Sequence, residues 1–291
     1  MATRAACYIG PVKVLVWIAL ACGALLLVSA WTFWMAVRPP RIAIPGTPAD
    51  FRLKAEDIAI TTLDGVKLAA WLIPAPTPLA PAVVLLHGYP ANKADLLPIA
   101  ATLSSRFTVL LLDFRYFGAS EGSATTLGSR ERADLRAAVD VLAQRGHTRI
   151  GVFGYSMGGA VALLGAAEDP RIHAVAAWAP FADLRVLARE LYSVFWVLKY
   201  PFVELMVLWG RLAFGGDITR PSPEMAAARL TIPVLLWASR DDDQIPFTHA
   251  ERLQQALTTN PRAELQISRG LHNERAEGFE RRLGEFFAAA L

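Results

Sequence analysis

One serine of the chain stands between glycines, at the point where an apolar run passes into a second apolar run of helical spacing. The stretch, residues 150–164, reads IGVFGYSMGGAVALL and contains Ser156 within the pattern G-x-S-x-G. This pattern is typical of a nucleophilic serine on a tight strand-to-helix turn, where the helix N-terminus favours developing negative charge. The glycines two residues before and after the serine leave room for the turn. The alternative is a small-residue crossing between strand and helix.

A serine hydroxyl is a poor nucleophile unless a base lies beside it, and the histidines are the candidates for this base. The chain order for a serine on such a turn is serine, then acid, then histidine. Of the five histidines, only His272 follows in this order and lies in a loop after a predicted strand. We therefore expect His272 to be the general base, with a surface loop histidine as the alternative. Because the base must be neutral, activity is expected to rise between about pH 6 and 7.

The acid is expected in the loop after a strand predicted at 232–238, where three aspartates occur in a row. Residues 239–246 read SRDDDQIP. Neighbouring carboxylates repel one another, which is an unusual arrangement unless one of them pairs with a histidine. The spacing to the following Ile-Pro favours Asp242, and Asp241 is the rival. A solvated turn with helix-capping aspartates accounts for the other two.

Chemistry at an acyl carbonyl also needs backbone N–H groups that hold the oxyanion. Met157, at the start of the helix after the serine, would supply one of them. The loop after the apolar run 82–86 reads His-Gly-Tyr-Pro, and Tyr89 in this loop is the candidate for the second. We expect His87, in the same loop, to be structural. These residue types predict acyl transfer through a covalent acyl-enzyme.

The elements that must position these residues alternate between strand and helix. Strands are predicted at 57–63, 66–73, 82–86, 107–112, 149–153, 173–178, 232–238 and 264–268, and helices at 95–105, 129–144, 157–167, 248–257 and 274–290. Apolar strands between amphipathic helices predict an α/β fold, with a mostly parallel central sheet, helices on both faces and an antiparallel hairpin at the start. The candidate residues all follow predicted strand ends, where the active sites of such sheets lie.

One insertion, at about 181–230, interrupts the alternation. Its middle, residues 191–214, is rich in aromatic and aliphatic side chains, but Lys199, Pro201, Glu204 and Arg211 interrupt it. These residues disfavour a second membrane span. We interpret the insertion as a helical cap over the strand ends.

The N-terminal region contains an apolar run without a charge, residues 14–37. About 20 apolar residues span a bilayer as a helix, so residues 1–37 are interpreted as a tail and an uncleaved single-pass anchor; a buried core helix is the alternative. Residues 38–56 are expected to form a stiff linker and 57–291 the catalytic domain. Basic residues flank both ends of the run, which leaves the membrane side undetermined. Cys7 and Cys22 lie in this region; acylation of Cys7 is the alternative to an inert thiol.

The overall composition argues against several other classes of protein. The net charge is +3, and the 29 basic residues are scattered along the chain, so no nucleic-acid binding is predicted. The glycines lack the G-x-G-x-x-G spacing and no lysine follows them as in a P-loop. The histidines lack a metal-ligand spacing such as H-E-x-x-H. We expect no cofactor and no metal, and the oligomeric state stays open.

With these residues placed, the sequence resembles the α/β-hydrolase superfamily from about residue 58 to 291. The segment 113–122, DFRYFGASEG, is similar to the D-x-R-G-x-G-x-S motif of the serine-aminopeptidase-like and monoacylglycerol-lipase-like branch, which includes single-pass membrane-anchored members. Tyr116 stands where that motif has glycine. The resemblance implies structural roles for Asp113, Arg115 and Ser120, which would brace the loop beside the serine turn.

The same resemblance implies roles for the candidate site residues. Ser156 would be the nucleophile, His272 the base and then the acid, and Asp242 the residue that orients the histidine, although the family spacing also admits Asp241. The amides of Met157 and Tyr89 would hold the oxyanion.

These features predict a membrane-anchored serine hydrolase that cleaves acyl esters or thioesters with an apolar acyl group. The expected partners are a small-molecule or lipid-like acyl substrate and the membrane. Two alternatives remain open. The same residues also cleave amides in serine peptidases of this fold, and a hydrolase fold also occurs as a catalytically silent binding module.

Overall fold

The computed structural model of the protein describes residues 11–291. The expectation for Cys7 falls outside these residues. One eight-stranded sheet organises the chain, with the strands in the order β1-β2-β4-β3-β5-β6-β7-β8. The strands are β1 (Glu56–Thr61), β2 (Lys67–Ile73), β3 (Ala82–Leu86), β4 (Thr108–Leu112), β5 (Ile150–Tyr155), β6 (Ile172–Trp178), β7 (Val234–Ser239) and β8 (Ala263–Ser268). The β1–β2 and β2–β4 pairs are antiparallel and all others are parallel, which confirms the predicted α/β fold.

Nine α-helices accompany this sheet in the described part of the chain. They are α1 (Pro11–Val37), α2 (Leu97–Leu103), α3 (Glu131–Gln144), α4 (Met157–Ala166), α5 (Leu184–Leu191), α6 (Lys199–Phe214), α7 (Pro223–Ala227), α8 (Thr248–Ala256) and α9 (Phe279–Ala290). Short 3₁₀ helices occupy Pro48–Phe51, Lys93–Leu96 and Ser193–Leu198.

Helices cover both faces of the sheet, which explains why the central strands are apolar along their whole length. Every residue of β3, β4, β5 and β7 is buried. Leu135 of α3 and Val161 of α4 belong to the hydrophobic core on one face, while Leu97 of α2 and Phe287 of α9 belong to the core on the other. A strand buried on both faces has no polar side to alternate with.

The last helix begins at Phe279, five residues later than the sequence pattern predicts. The intervening chain forms a turn, in which Glu274 Oε2 accepts a hydrogen bond of 2.9 Å from the N–H of Leu271. Gly278 then takes a left-handed conformation, with φ of 74°. A helix cannot continue through such a residue, so α9 starts directly after it.

The insertion between β6 and β7 contains α5, α6 and α7, and we call residues 181–230 the cap. Two of the charged residues that interrupt its apolar sequence, Glu204 and Arg211, form ion pairs. Arg189 Nη2 lies 2.7 Å from Glu204 Oε1, and Arg211 Nη2 lies 2.7 Å from Asp217 Oδ2. These pairs place polar side chains along one side of α6, while Phe202 on its opposite side is buried.

Helix α1 is one of two helical segments in the described chain that are long and apolar enough to cross a membrane. It has a mean hydropathy of 2.4 over Val12–Val37, against 1.2 for Ser193–Phe214. At 1.5 Å per residue its 27 residues extend over roughly 40 Å. Its N-terminal half is exposed, whereas Ser29, Phe33 and Val37 near its end are buried. The helix therefore combines a free apolar half with a half that packs against the rest of the protein.

Candidate active site

Ser156 occupies the turn between β5 and α4 with a strained backbone. Its φ of 51° and ψ of −115° lie in a region that costs a non-glycine residue about 1–3 kcal/mol. Its N–H donates to the carbonyl oxygen of Trp178 at 2.8 Å. A Cβ on Gly154 would lie 2.1 Å from the carbonyl oxygen of Gly158, and a Cβ on Gly158 would lie 2.3 Å from that of Leu86. Only glycine fits at both positions.

His272 lies in the loop after β8 and contacts Ser156. Its Nε2 is 3.0 Å from Ser156 Oγ, and its Nδ1 is 2.7 Å from Asp242 Oδ2. An ionised carboxylate can only accept a hydrogen bond, so Nδ1 carries the proton of the ring and donates a hydrogen bond to Asp242. This tautomer leaves a lone pair on Nε2 of the neutral ring, directed at the serine hydroxyl. The arrangement suits proton abstraction from Ser156.

Asp242 is held so that it stays ionised. Its Oδ1 accepts hydrogen bonds from the N–H groups of Gln244 at 2.9 Å and Ile245 at 2.7 Å. Burial by itself raises the pKa of this carboxyl, but the hydrogen bonds from His272 and from the two backbone N–H groups outweigh it and hold the pKa below its ordinary value. A carboxylate in this state fixes the ring orientation of its histidine.

The two other aspartates of this loop have different surroundings. Asp241 is exposed, and its Oδ1 accepts from Arg269 at 3.0 Å. Asp243 Oδ1 accepts from the backbone N–H of His272 at 3.0 Å, which fixes the main chain of the histidine loop. Between the two alternatives for the acid, the structure brings Asp242 to the imidazole and leaves Asp241 on the surface.

The two predicted oxyanion residues, Met157 and Tyr89, line the same cavity as Ser156. Met157 is the first residue of α4, so its N–H belongs to the group at a helix start that has no intrahelical acceptor. The loop after β3 approaches from the other side. A Cβ on Gly88 would lie 3.3 Å from the Cβ of Ser156, and Tyr89 is the next residue. Both predicted oxyanion residues therefore lie beside the serine.

His87, in the same loop, is fully buried away from the serine hydroxyl. Its Nε2 accepts from the N–H of Phe114 at 3.1 Å, and its Nδ1 donates to the carbonyl oxygen of Gly88 at 2.8 Å. Burial lowers the pKa of this imidazole. A neutral ring with both nitrogens engaged links the loop after β3 to the loop after β4, as expected for a structural residue.

Tyr155, between the first glycine and the serine, is a site residue that sequence reasoning does not single out. Its hydroxyl lies 3.0 Å from the carbonyl oxygen of His272 and 2.5 Å from Asn273 Oδ1. Its ring lies 5.1 Å from the imidazole. Tyr155 thus holds the His272 loop in place through its hydroxyl and its ring. The pattern G-x-S-x-G allows any residue here, so it carries no signal for this contact.

The loop 113–122 is braced by buried ion pairs. Asp113 accepts from the N–H and Nζ of Lys93 at 2.7 and 2.5 Å, and Arg115 Nη2 donates to Asp134 at 2.6 Å. Ser120 Oγ donates to the carbonyl oxygen of Asp113 at 2.7 Å. The resemblance points to the three loop residues, but Lys93 and Asp134 lie about twenty residues away in sequence and have no local signal.

Tyr116 keeps the conformation that suits the glycine of the related motif. Its φ is 73°, a value that is strained for an aromatic residue. Its hydroxyl donates to the carbonyl oxygen of Pro39 at 2.7 Å, and Arg41 lies 4.9 Å from the centre of its ring. The side chain that replaces glycine therefore contacts the chain segment that follows α1.

A cavity of about 500 Å³ opens above Ser156. Its walls are mostly apolar and come from three parts of the chain: the loops at the strand ends, the cap and α1. Its lining residues include Thr32, Met35, Ala36, Leu187, Met206 and Asp243. A cavity of this size and lining is typical of a site for a small apolar ligand with few polar contacts.

Comparison with known proteins agrees with this architecture. The family model for the alpha/beta hydrolase fold matches residues 81–198. An esterase of Pyrococcus furiosus, Pf2001, has a similar structure, with 31% sequence identity, a TM-score of 0.72 and coverage of 88% of this chain and 98% of the esterase.

Two curated relatives are uncharacterized bacterial proteins. One, from Mycobacterium tuberculosis, is 30% identical over 223 residues, which is 75% of this chain and 72% of the relative. The other, YfhR of Escherichia coli, is 27% identical over 243 residues, which is 80% of this chain and 78% of that protein. Together with the sheet order and the strained serine turn, these matches show that the chain belongs to the alpha/beta hydrolase fold family.

Proposed function

We propose that this protein is a membrane-anchored serine hydrolase that cleaves esters or thioesters of an apolar acyl group. One observation carries the proposal: the imidazole of His272 lies between Ser156 Oγ at 3.0 Å and Asp242 Oδ2 at 2.7 Å. The esterase similarity over most of the chain supports a hydrolase.

The proposed reaction proceeds through an acyl-enzyme. Ser156 Oγ attacks the acyl carbonyl carbon while its proton passes to Nε2 of His272, and the oxyanion forms beside the amides of Met157 and Tyr89. Collapse of this intermediate expels the alcohol or thiol, which takes the proton from His272. A water molecule then gives its proton to His272 and attacks the acyl carbonyl, which releases the carboxylic acid and restores Ser156. Asp242 stabilises the imidazolium in both halves.

The walls of the cavity favour an apolar acyl group. Leu187 of α5 and Met206 of α6 line it together with Ser156. Each methylene of a substrate buried there would contribute about 0.8 kcal/mol to binding. Anchoring is supported by α1, whose apolar run is long enough to cross a bilayer.

Labelling with a fluorophosphonate probe tests the proposal. Full-length protein in membranes is expected to be labelled covalently, and Ser156→Ala to lose the label, because the probe reacts only with an activated serine. Ser123→Ala, at an exposed serine, is the matched control and should keep the label. Equal labelling of the Ser156→Ala protein, or no labelling of the folded wild type, would contradict the proposal.

A peptidase is a second candidate because the cavity contains a carboxylate. Asp243 lines the cavity and could receive the free amine of a peptide, although its Oδ1 also accepts from the His272 N–H. If the protein is a peptidase, it cleaves aminoacyl naphthylamides, and Asp243→Asn weakens this cleavage far more than it weakens the cleavage of naphthyl esters. Equal effects on both substrates favour the esterase.

A further inference from the structure

Helix α1 forms part of the wall of the cavity above Ser156. Thr32, Met35 and Ala36, all in its last two turns, line the cavity. Leu187 and Met206 of the cap line the same cavity. A helix that served only to tether the domain to a membrane would have no reason to lie against the serine, so its position calls for another role.

Several contacts fix the end of α1 against the domain. Ser29 is fully buried and its Oγ accepts from Trp209 Nε1 at 3.0 Å. The hydroxyl of Tyr89 donates to the carbonyl oxygen of Ala36 at 3.1 Å, and Val37 is buried. The side chain of a predicted oxyanion residue therefore bonds directly to α1. The wall that α1 contributes is held in place by hydrogen bonds and packing.

The contacts along α1 and α6 show that the two helices run in the same direction. Ser29 meets Trp209, and four residues later Phe33 meets Phe214, with ring centres 6.1 Å apart. The exposed N-terminal half of α1 thus extends on the side of the N-terminus of α6. There the cap exposes Val194 (83%) and Trp196 (79%), so the apolar surfaces of α1 and of the cap lie on the same side.

We propose that α1 is part of the acyl-binding site and that the substrate is a membrane-resident amphiphile with an acyl chain. The chain lies against Thr32, Met35 and Ala36 and reaches Ser156 from the hydrocarbon in which the exposed half of α1 lies. This inference rests on the proposed serine hydrolase function and adds to it the source of acyl-chain specificity. The anchor then serves both to hold the protein at the bilayer and to select its substrate.

The first test locates the acyl chain directly. A fluorophosphonate with a long alkyl chain and a terminal diazirine labels Ser156 in the full-length protein in detergent micelles; irradiation then cross-links the chain end to its neighbour, which mass spectrometry identifies. Cross-links to the peptide that contains Thr32, Met35 and Ala36 are expected. Labelling of Ser156 with cross-links only to cap peptides would overturn the inference and leave the proposed function intact. Absence of labelling would overturn both.

The second test is a chain-length series of p-nitrophenyl esters from acetyl to palmitoyl. Thr32→Phe places a large side chain in the cavity wall, so kcat/KM for the lauroyl ester is expected to fall about tenfold more than that for the acetyl ester. Leu27→Phe introduces the same side chain on the exposed side of α1, outside the cavity. It should leave the ratio of kcat/KM for the lauroyl ester to kcat/KM for the acetyl ester unchanged. A ratio that is the same in Thr32→Phe and in the wild type would contradict the role of α1.

Discussion

The strand-end loops and the cap wall enclose the same cavity but are held together differently. In the loops, His272, Asp242 and Asp113 are buried and each is fixed by at least two hydrogen bonds. On the cap side the cavity is lined mainly by apolar side chains, among them Leu187 and Met206. Directional hydrogen bonds hold one geometry, whereas apolar contacts depend mainly on area and tolerate changes of shape.

This contrast separates chemistry from substrate choice. The strand-end loops set the positions of the proposed reacting groups, and in our proposal the cap and α1 select the acyl group. A change in the loops should therefore remove turnover of every substrate, whereas a change in the wall should alter which substrates are used. Variants in the two regions test this separation.

Asp242→Asn should reduce kcat by about 10⁴-fold for short and long acyl esters alike. The amide no longer secures the tautomer of His272 that leaves Nε2 free to accept the serine proton. Measured kcat values over the ester series would show a uniform loss. Asp241→Asn, which removes a neighbouring charge that pairs with Arg269 on the surface, is the control and should keep most of the activity. A larger loss of activity in Asp241→Asn than in Asp242→Asn would show that Asp241, and not Asp242, is the acid.

The loops were largely accessible from the sequence because their signals are local. Ser156 lies in a short pattern whose first glycine, Gly154, is explained by the close approach of Gly158 four residues later, and His272 follows a strand end in the expected chain order. The choice between Asp241 and Asp242 could not be made in this way. It depends on which carboxylate faces the imidazole across the loop, and two adjacent residues have the same local signal.

The parts that sequence reasoning missed depend on distant contacts. Lys93 and Asp134 pair with the loop 113–122 only because β4 and its neighbours bring them together. The apolar run of α1 predicts a membrane span equally well whether or not the helix also lines a cavity. Its contact with Trp209, 180 residues away in sequence, leaves no pattern in either segment.

Asp134→Asn should destabilise the protein by about 3–5 kcal/mol, because it leaves the buried Arg115 without its main partner. Burial alone lowers the pKa of Arg115, but the hydrogen bonds that its guanidinium donates to the carboxylates of Asp64 and Asp134 raise it overall, so the guanidinium stays charged. Urea unfolding of the purified protein measures the change in the free energy of unfolding.

The matched control for this variant is an exposed pair. Arg145 lies 2.6 Å from Glu56, with side chains 38% and 53% exposed. Arg145→Ala should cost at most about 1 kcal/mol, because solvent screens the charges. An equal loss of unfolding free energy in the two variants would show that the buried ion pair of loop 113–122 is no stronger than a surface pair. The strand-end loops would then not be held more firmly than the cap.

Ser29→Ala should cost about 1–2 kcal/mol, since it leaves the N–H of Trp209 without its acceptor between α1 and α6. If the strand-end loops carry the chemistry and the cap with α1 selects the substrate, Ser29→Ala should lower the turnover of long-chain esters and change that of acetyl esters less. Ser105→Ala, at an exposed helix end where the hydroxyl bonds only to Thr102 O, should be nearly neutral in both measurements. A parallel loss of acetyl turnover in Ser29→Ala would mean that α1 supports the loops as well.

The smallest effect is expected at Asp64, at the outer end of the ion-pair brace. Hydrogen bonds from Arg115 lower the pKa of this carboxyl to about 2. A carboxyl with a depressed folded-state pKa stabilises the protein above its unfolded pKa of about 3.9, and this contribution disappears as the pH falls through the folded value. The side chain is 46% exposed, so solvent screening limits the contribution to less than about 1 kcal/mol. Wild type and Asp64→Asn should therefore differ slightly in urea unfolding at pH 7 and converge between about pH 4 and 2.

The same charge removal at Glu285, an exposed residue of α9, is the control for Asp64. Glu285→Gln should show no convergence of this kind. If the difference in unfolding free energy between wild type and Asp64→Asn instead grows as the pH falls, Arg115 does not stabilise the Asp64 carboxylate. Asp134 would then be the only carboxylate that stabilises Arg115 in this loop.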